Sequence, residues 1–499
     1  MKKFLTVYYR PLLILILAFS FFTRIVRLDV PQRYIFDEVY HAITAKLMAR
    51  NDQRAFEWWN MPVEPNTAVD WLHPPLAKYT QALSIKLFGE NSFAWRLSSV
   101  LFGVLVIASV AKLADEVFAD KALSLLAAFL ASLDGLLLVQ SRIAMNDIHV
   151  TFFILLTLIL YQQKLKQKTN YQKNKYLLFT ALSAGLAMSS KWSGLFVLLF
   201  VWIWELFSQI GRDKKANLKT KINWLLTRII ILAVIPITIY IASYSMMFYQ
   251  GKSLICNRQE PIEGQCYFET FKWKDRIIFQ GYISHFFELH RQIWWYQTHL
   301  DATHGYQSRP IQWFLDTRPV WFHIQRTDDQ HLANIYAQGN PTLFWIGDFF
   351  VIITVMVIIK KILENLAVKI FNKKKIDLKV IAIYLVNLVT KLQKSKNEDT
   401  NQTSKLVFVF GAYLIVWVLW QFSPRIMFFY HYTPAVPLLC IIISYWLIKM
   451  SQYKSLKIVV FLLIAIIFIN FILWYPNWTA ISMPDWWVNH LYFSLDSWK

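Results

Sequence analysis

Two adjacent carboxylates, Asp37 and Glu38, stand in the stretch Tyr34-Ile-Phe-Asp-Glu-Val-Tyr-His41, where the chain returns to water after its first apolar run. Ionisable side chains at a membrane edge are costly unless paired or used. One carboxylate of such a pair can take a proton from a hydroxyl while the other holds a cation. Val39, Ile43 and Leu47 recur at helical spacing, which predicts an amphipathic helix along the outer surface. Neighbouring helix positions point about 100° apart, so the two acids need not share a job. The alternative is a helix-start signal, since acids favour helix N-termini. Candidate partner cations are Arg24 and Arg27 at the end of the first apolar run and Arg96 at the start of the second, unless they only snorkel to the interface. Further on, His73-Pro-Pro-Leu-Ala-Lys78 carries two prolines that stop one helix and start another. A His and a Lys beside that new N-terminus could receive a phosphate.

The elements that must position these groups are membrane spans. The chain has 499 residues, 56% of them hydrophobic, and contains several apolar runs of the length a helix needs to cross a bilayer, about 20 residues. A single water-soluble core is excluded. Eleven spans are expected, near 10–28, 93–113, 121–140, 147–163, 176–191, 192–210, 229–249, 341–360, 405–423, 425–448 and 457–475. The first is expected to be retained, because Thr23-Arg24-Ile-Val-Arg27 lacks the small residues of a cleavage site.

Charge sets the orientation. Loops 164–175, 211–228, 361–404 and 449–456 hold five, six, nine and two Lys or Arg, whereas 250–340 holds nine over a far longer stretch. Positive charge holds loops in the cytoplasm. The N-terminus is therefore expected inside and the C-terminus outside, with polar loops 29–92 and 250–340 extracytoplasmic. Segment 377–392 reads as an amphipathic helix on the cytoplasmic surface and 394–403 as a solvated linker. The net charge of +21 lies in short loops rather than on one basic domain, which argues against a nucleic-acid partner. Cys256 and Cys266 are candidates for a disulfide in an extracytoplasmic loop, and Cys440 is read as a core residue.

Several motifs in order resemble the protein O-mannosyltransferase family of the glycosyltransferase C superfamily: Phe36-Asp-Glu-Val-Tyr-His41, His73-Pro-Pro-Leu-Ala-Lys78, Trp95-Arg-Leu-Ser-Ser99, Ser141-Arg-Ile-Ala-Met-Asn-Asp147, Ser190-Lys-Trp-Ser-Gly194, Ser308-Arg-Pro310, Arg318-Pro-Val-Trp321, Gly339-Asn-Pro341 and Tyr430-His-Tyr-Thr-Pro434. The resemblance implies an all-α polytopic fold with eleven spans. Its regions would be a transmembrane module at 1–249 with a catalytic outer loop, an outer loop at 250–340 too short for the β-trefoil domain of eukaryotic members, and a transmembrane region at 341–499. It further implies a plasma-membrane enzyme of prokaryotic type.

The activity implied is inverting transfer of mannose from polyprenyl-phosphate-mannose to Ser or Thr hydroxyls of secreted polypeptides. Asp37 matches the family's catalytic aspartate and Glu38 its neighbouring acid, expected to organise Arg24 or Arg96. Arg96, Lys191, His73 and Arg309 are the expected donor-phosphate ligands. Arg24, Lys78, Asp147, Arg318 and His431 are supporting positions. No metal or other cofactor is expected, since fixed cations can stabilise the departing phosphate. Transfer to a lipid by a related enzyme, or a transporter or flippase, are the competing readings. Whether the chain works alone or with a second copy is left open.

Overall fold

The computed structural model describes residues 2–57, 63–210, 217–250, 252–256, 266–270, 278–300, 302–371 and 398–499. Six helices among the described residues are long and apolar enough to cross a membrane: Ser92–Phe118, Asp147–Lys166, Leu218–Ser243, Pro341–Glu364, Gln402–Phe422 and Lys454–Trp478. Shorter apolar helices cover Lys121–Ser132, Trp192–Ser208 and Val436–Met450. Tyr9–Ile25 takes the first apolar run and Asn170–Ser190 covers the expected fifth span. Asp147–Lys166 packs between Ser92–Phe118 and Asn170–Ser190. Val436–Met450 is buried all round from Val436 to Leu447, as a helix apolar on every side must be.

Several sequence expectations need correction. The run 121–140 is not one helix, because the Asp134 carboxylate accepts from Leu137 N at 2.7 Å and restarts the chain as Gly135–Gln140. The expected span 425–448 is helical in this form only from Val436; Phe429–Tyr432 is a 3₁₀ turn, and Pro434 just after it has no N–H to continue a helical ladder. The helix Glu38–Ala49 does not lie on the surface: His41 to Met48 are all buried. Segment 377–392 falls outside the described residues, and the expected linker is helical from Glu398 onward.

The fold also contains strands that an all-α expectation missed. β1 (Lys252–Cys256) and β2 (Cys266–Thr270) form a hairpin whose backbone register sets Cys256 opposite Cys266. β3 (Val320–Asp328), β4 (His331–Ala337) and β5 (Ser482–Pro484) form an antiparallel sheet in the order β3-β4-β5, with β3 at one edge. β5 comes from the C-terminal tail, so the sheet ties residues 320–337 to the end of the chain.

Candidate active site

Asp37 occupies the N-cap position of the Glu38–Ala49 helix, yet its side chain makes no capping hydrogen bond. The preceding Phe36 has φ +46°, a left-handed conformation that turns the chain sharply into the helix. The carboxylate instead lines a cavity of about 360 Å³, together with Tyr40, His41, Asp70, His73, Asp147, Lys191, Arg425 and Tyr430. Burial raises its pKa to about 6, against the pull of His41 and Lys191, with Asp70 and Asp147 adding to the rise.

Glu38 lies outside this cavity and is fully buried. Its Oε1 accepts from Arg96 Nε at 2.8 Å and Ala144 N at 3.1 Å, and its Oε2 from Arg96 Nη2 at 2.7 Å and Ile35 N at 3.1 Å. The remaining N–H groups of Arg96 go to the carbonyls of Leu28, Pro31 and Arg33, each at 3.0 Å. All five guanidinium donors are thereby used. Arg96, an expected phosphate ligand, does not line the cavity; it fastens the loop that leads into Asp37. Arg24, the other expected partner of Glu38, is buried elsewhere, donating to the Ser20 carbonyl at 3.2 Å and facing Asp134 electrostatically.

Asp70 organises the opposite wall. His41 Nδ1 lies 2.8 Å and Lys78 Nζ 2.7 Å from its Oδ2, while His73 Nδ1 lies 2.9 Å from its Oδ1. Lys78 also donates to the carbonyls of Asp70 and His73, both at 2.9 Å. The proline-started helix Leu76–Phe88 thus reaches back to clamp the turn before it. The Lys78 ammonium and the two flanking imidazoles hold the Asp70 carboxyl well below its usual range despite burial. Burial lowers His73 to about 4, so its imidazole is neutral near neutral pH. His41, Asp70 and His73 are also the kinds of ligand that could surround a metal ion, but the Lys78 ammonium already supplies positive charge to Asp70.

Lys191 ends the helix Asn170–Ser190 in extended conformation and places Nζ 2.7 Å from Asp147 Oδ1, on the first residue of the next wall. The turn that follows requires Gly194, since a Cβ there would come 2.3 Å from the Ala187 carbonyl carbon. Arg425 donates to Gln297 Oε1 at 2.7 Å and lies 3.4 Å from His431 Nε2. His431 is buried, with Nδ1 2.9 Å from the Phe428 carbonyl.

The structure therefore gathers Asp37, His73, Asp147 and Lys191 around one cavity, with Lys78 and His431 in the layer behind it. Besides Glu38, Arg96 and Arg24, two more predicted residues lie away from it. Arg309 is exposed at the start of the short helix Pro310–Phe314, and Arg318 donates to the Gly305 carbonyl and to carbonyls of the C-terminal tail. Asp70, His41, Tyr430 and Arg425 were not singled out by residue chemistry. Asp70 sits three positions before His73, a spacing that could have suggested the pair. Arg425 was hidden inside an assumed span.

Residues 14–250 match the family described as dolichyl-phosphate-mannose-protein mannosyltransferase, and residues 282–498 match the C-terminal four-transmembrane region of protein O-mannosyltransferase. A polyprenol-phosphate-mannose–protein mannosyltransferase from Corynebacterium glutamicum is 26% identical over 349 residues, 62% of this chain and 65% of that relative. The chain thus spans just under two thirds of that relative's length. Dolichyl-phosphate-mannose–protein mannosyltransferase 6 from Candida albicans is 27% identical over 50% of this chain and 32% of its own. Among solved structures, the Saccharomyces cerevisiae Pmt1–Pmt2 complex bound to the sugar donor is similar with TM-score 0.69, at 14% identity over 95% of this chain and 90% of that chain. ArnT from Cupriavidus metallidurans bound to undecaprenyl phosphate gives 0.51, at 15% identity over 91% and 63%.

Proposed function

The chain belongs to the protein O-mannosyltransferase family, and from that premise we propose that it moves mannose from polyprenyl-phosphate-mannose to a Ser or Thr hydroxyl of a polypeptide outside the cytoplasm. One observation carries the reading. A half-buried carboxylate, Asp37, shares a cavity of about 360 Å³ with the fixed cations Lys191 and Arg425.

The chemistry follows from that juxtaposition. Asp37 takes the proton of the acceptor hydroxyl as its oxygen bonds to the anomeric carbon. The bond from that carbon to the phosphate oxygen breaks on the opposite face, so configuration inverts, and its electron pair leaves on the phosphate. Lys191 and Arg425 stabilise that growing charge, being already oriented by Asp147 and Gln297. Glu38 and Arg96 hold the loop bearing Asp37, and Asp70 orients His41 and His73. Because protein cations meet the charge, the transfer proceeds without a divalent metal.

The enzyme is placed by the same reading in the plasma membrane of a prokaryotic cell, with eleven spans, its N-terminus inside and the cavity at the outer face. The test uses the purified chain in detergent with labelled polyprenyl-phosphate-mannose, a Ser/Thr-rich peptide or a lipid acceptor, and EDTA. Label appearing on the peptide and surviving the chelator is expected. Label on the lipid alone would transfer the assignment to a lipid-acceptor enzyme, and consumption that stops with EDTA would overturn the metal-free mechanism.

A further inference from the structure

A second concavity, of about 470 Å³, opens on the other side of the loop that carries Asp37. One wall is Arg33, Tyr34, Ile35 and Phe36; the other is Trp321, Phe322, His323 and Ile324 of β3, with Tyr306 beside them. Successive strand residues point to opposite faces of a sheet. A register shift at Phe322, between the pairs Trp321–Tyr336 and His323–Ile335, interrupts that alternation, so four consecutive residues of β3, itself an edge strand, border the groove. β3 pairs only with β4 among the described residues, and no described backbone hydrogen bond joins it to residues 33–36. The backbone of the opposing wall is engaged elsewhere: Ile35 N with Glu38 and the Arg33 carbonyl with Arg96.

The groove is continuous with the catalytic loop through one aromatic ring. Phe36 stacks on Phe322 of β3 at 4.3 Å and meets Tyr430, which lines the Asp37 cavity, edge-on at 5.8 Å. Phe36 is also bonded directly to Asp37 in the chain. An unpaired strand edge offers a row of N–H and C=O groups to another extended chain, and side chains along it select what lies there. A prenyl chain has no groups to answer such a row, and sugar hydroxyls do not repeat at the spacing of a strand. A polypeptide backbone can.

We infer that the acceptor polypeptide docks as an added strand on the free edge of β3, in the groove facing Arg33–Phe36, with its Ser or Thr presented past Phe36 to Asp37. The inference rests on the function proposed above. Edge pairing explains how an enzyme can serve acceptors of varied sequence, because the backbone supplies the affinity. Tyr306, Trp321 and Ile324 add apolar contact on either side.

The test compares acceptor KM for a Ser/Thr-rich peptide and two analogues N-methylated at alternate residues, offset from each other by one position. Methylation of one edge removes its donors and leaves the other edge intact. One analogue should show KM raised roughly tenfold, as expected for losing two or so backbone hydrogen bonds, while the other stays near the parent. Ile324 is 45% exposed, so Ile324→Asp should fold and should raise acceptor KM without changing kcat at saturating acceptor or the KM for donor. Equal KM values for both analogues and the parent would overturn strand pairing whatever Ile324→Asp does. An unchanged acceptor KM in Ile324→Asp would exclude this groove. If the wild-type chain transfers to no peptide at all, the function itself falls, an outcome distinct from either.

Discussion

Asp37 is set apart from an ordinary helix-capping aspartate by where its charge is left. A capping carboxylate accepts backbone N–H bonds, which favour the ionised form. Asp37 makes no such bond and is partly desolvated beside Asp70 and Asp147, so its pKa rises to about 6. A base with that value is still largely ionised at neutral pH and is a stronger proton acceptor than a solvated aspartate. The raised value means that the working, ionised form is lost as pH falls through about 6. The kcat/KM profile should therefore show an acid limb there. His41 favours the ionised form, so His41→Gln should move the limb to higher pH. Asp37→Asn should cut transfer by about 10² to 10⁴ with the melting temperature unchanged. An acid limb that stayed in place in His41→Gln, or an Asp37→Asn enzyme retaining most of its rate, would remove Asp37 from the role of base.

The elements around the site are held by buried ion pairs rather than by apolar packing alone. Glu38 and Arg96 are 0% and 1% exposed, and they connect the Glu38–Ala49 helix to Ser92–Phe118 and, through Ala144 N, to the segment before Asp147. Lys78 and Asp70 do the same between Leu76–Phe88 and the turn at His73. Such pairs are poor sources of net stability, yet removing one partner strands the other's charge in a dry site, at about 3–5 kcal/mol. Asp70→Asn should accordingly lower thermal stability far more than Asp70→Asn combined with Lys78→Met, measured by unfolding in the same detergent. Equal losses in the two proteins would mean that Lys78 reaches water when Asp70 is neutral.

Across the molecule, charge is concentrated at two levels. Asp147 at one end of Asp147–Lys166 belongs to the cavity. At the other end Lys164 pairs with the buried carboxylate of Glu205, which also accepts from Tyr161 at 2.8 Å and Arg228 at 3.1 Å. Asp147 and Lys164 stand 17 residues apart on that helix, which at 1.5 Å per residue separates the two clusters by about 26 Å, close to the thickness of the hydrocarbon layer. In the orientation proposed above, the first level is the outer, catalytic one and the second is the cytoplasmic one rich in Lys and Arg. A membrane-impermeant thiol reagent added to intact cells, using single cysteines in a Cys-free background, should label a Cys at Lys499 and leave one at Lys168 unlabelled until the cells are opened. Labelling of the Lys168 position in intact cells would invert the orientation.

The apolar runs and the spacing of Lys and Arg were sufficient to read a helical membrane chain and its expected orientation, because hydrocarbon thickness and membrane charge act on sequence locally. The Asp37-Glu38 pair and the His73-to-Lys78 turn were legible for the same reason: polar residues at a membrane edge announce themselves. What sequence could not decide was which groups meet. Arg24 and Arg96 were equivalent candidates for Glu38 until packing put Arg96 within reach and turned Arg24 toward Asp134. Arg425 enters the cavity only because the chain ahead of Val436 is a turn instead of a span. Asp70 gains its hold on His41 because the Leu76–Phe88 helix folds back on Glu38–Ala49. The β3 edge, too, exists only once β4 and a strand from the far end of the chain have paired. Local composition fixes where a residue stands relative to the bilayer, but long-range contacts choose its partner.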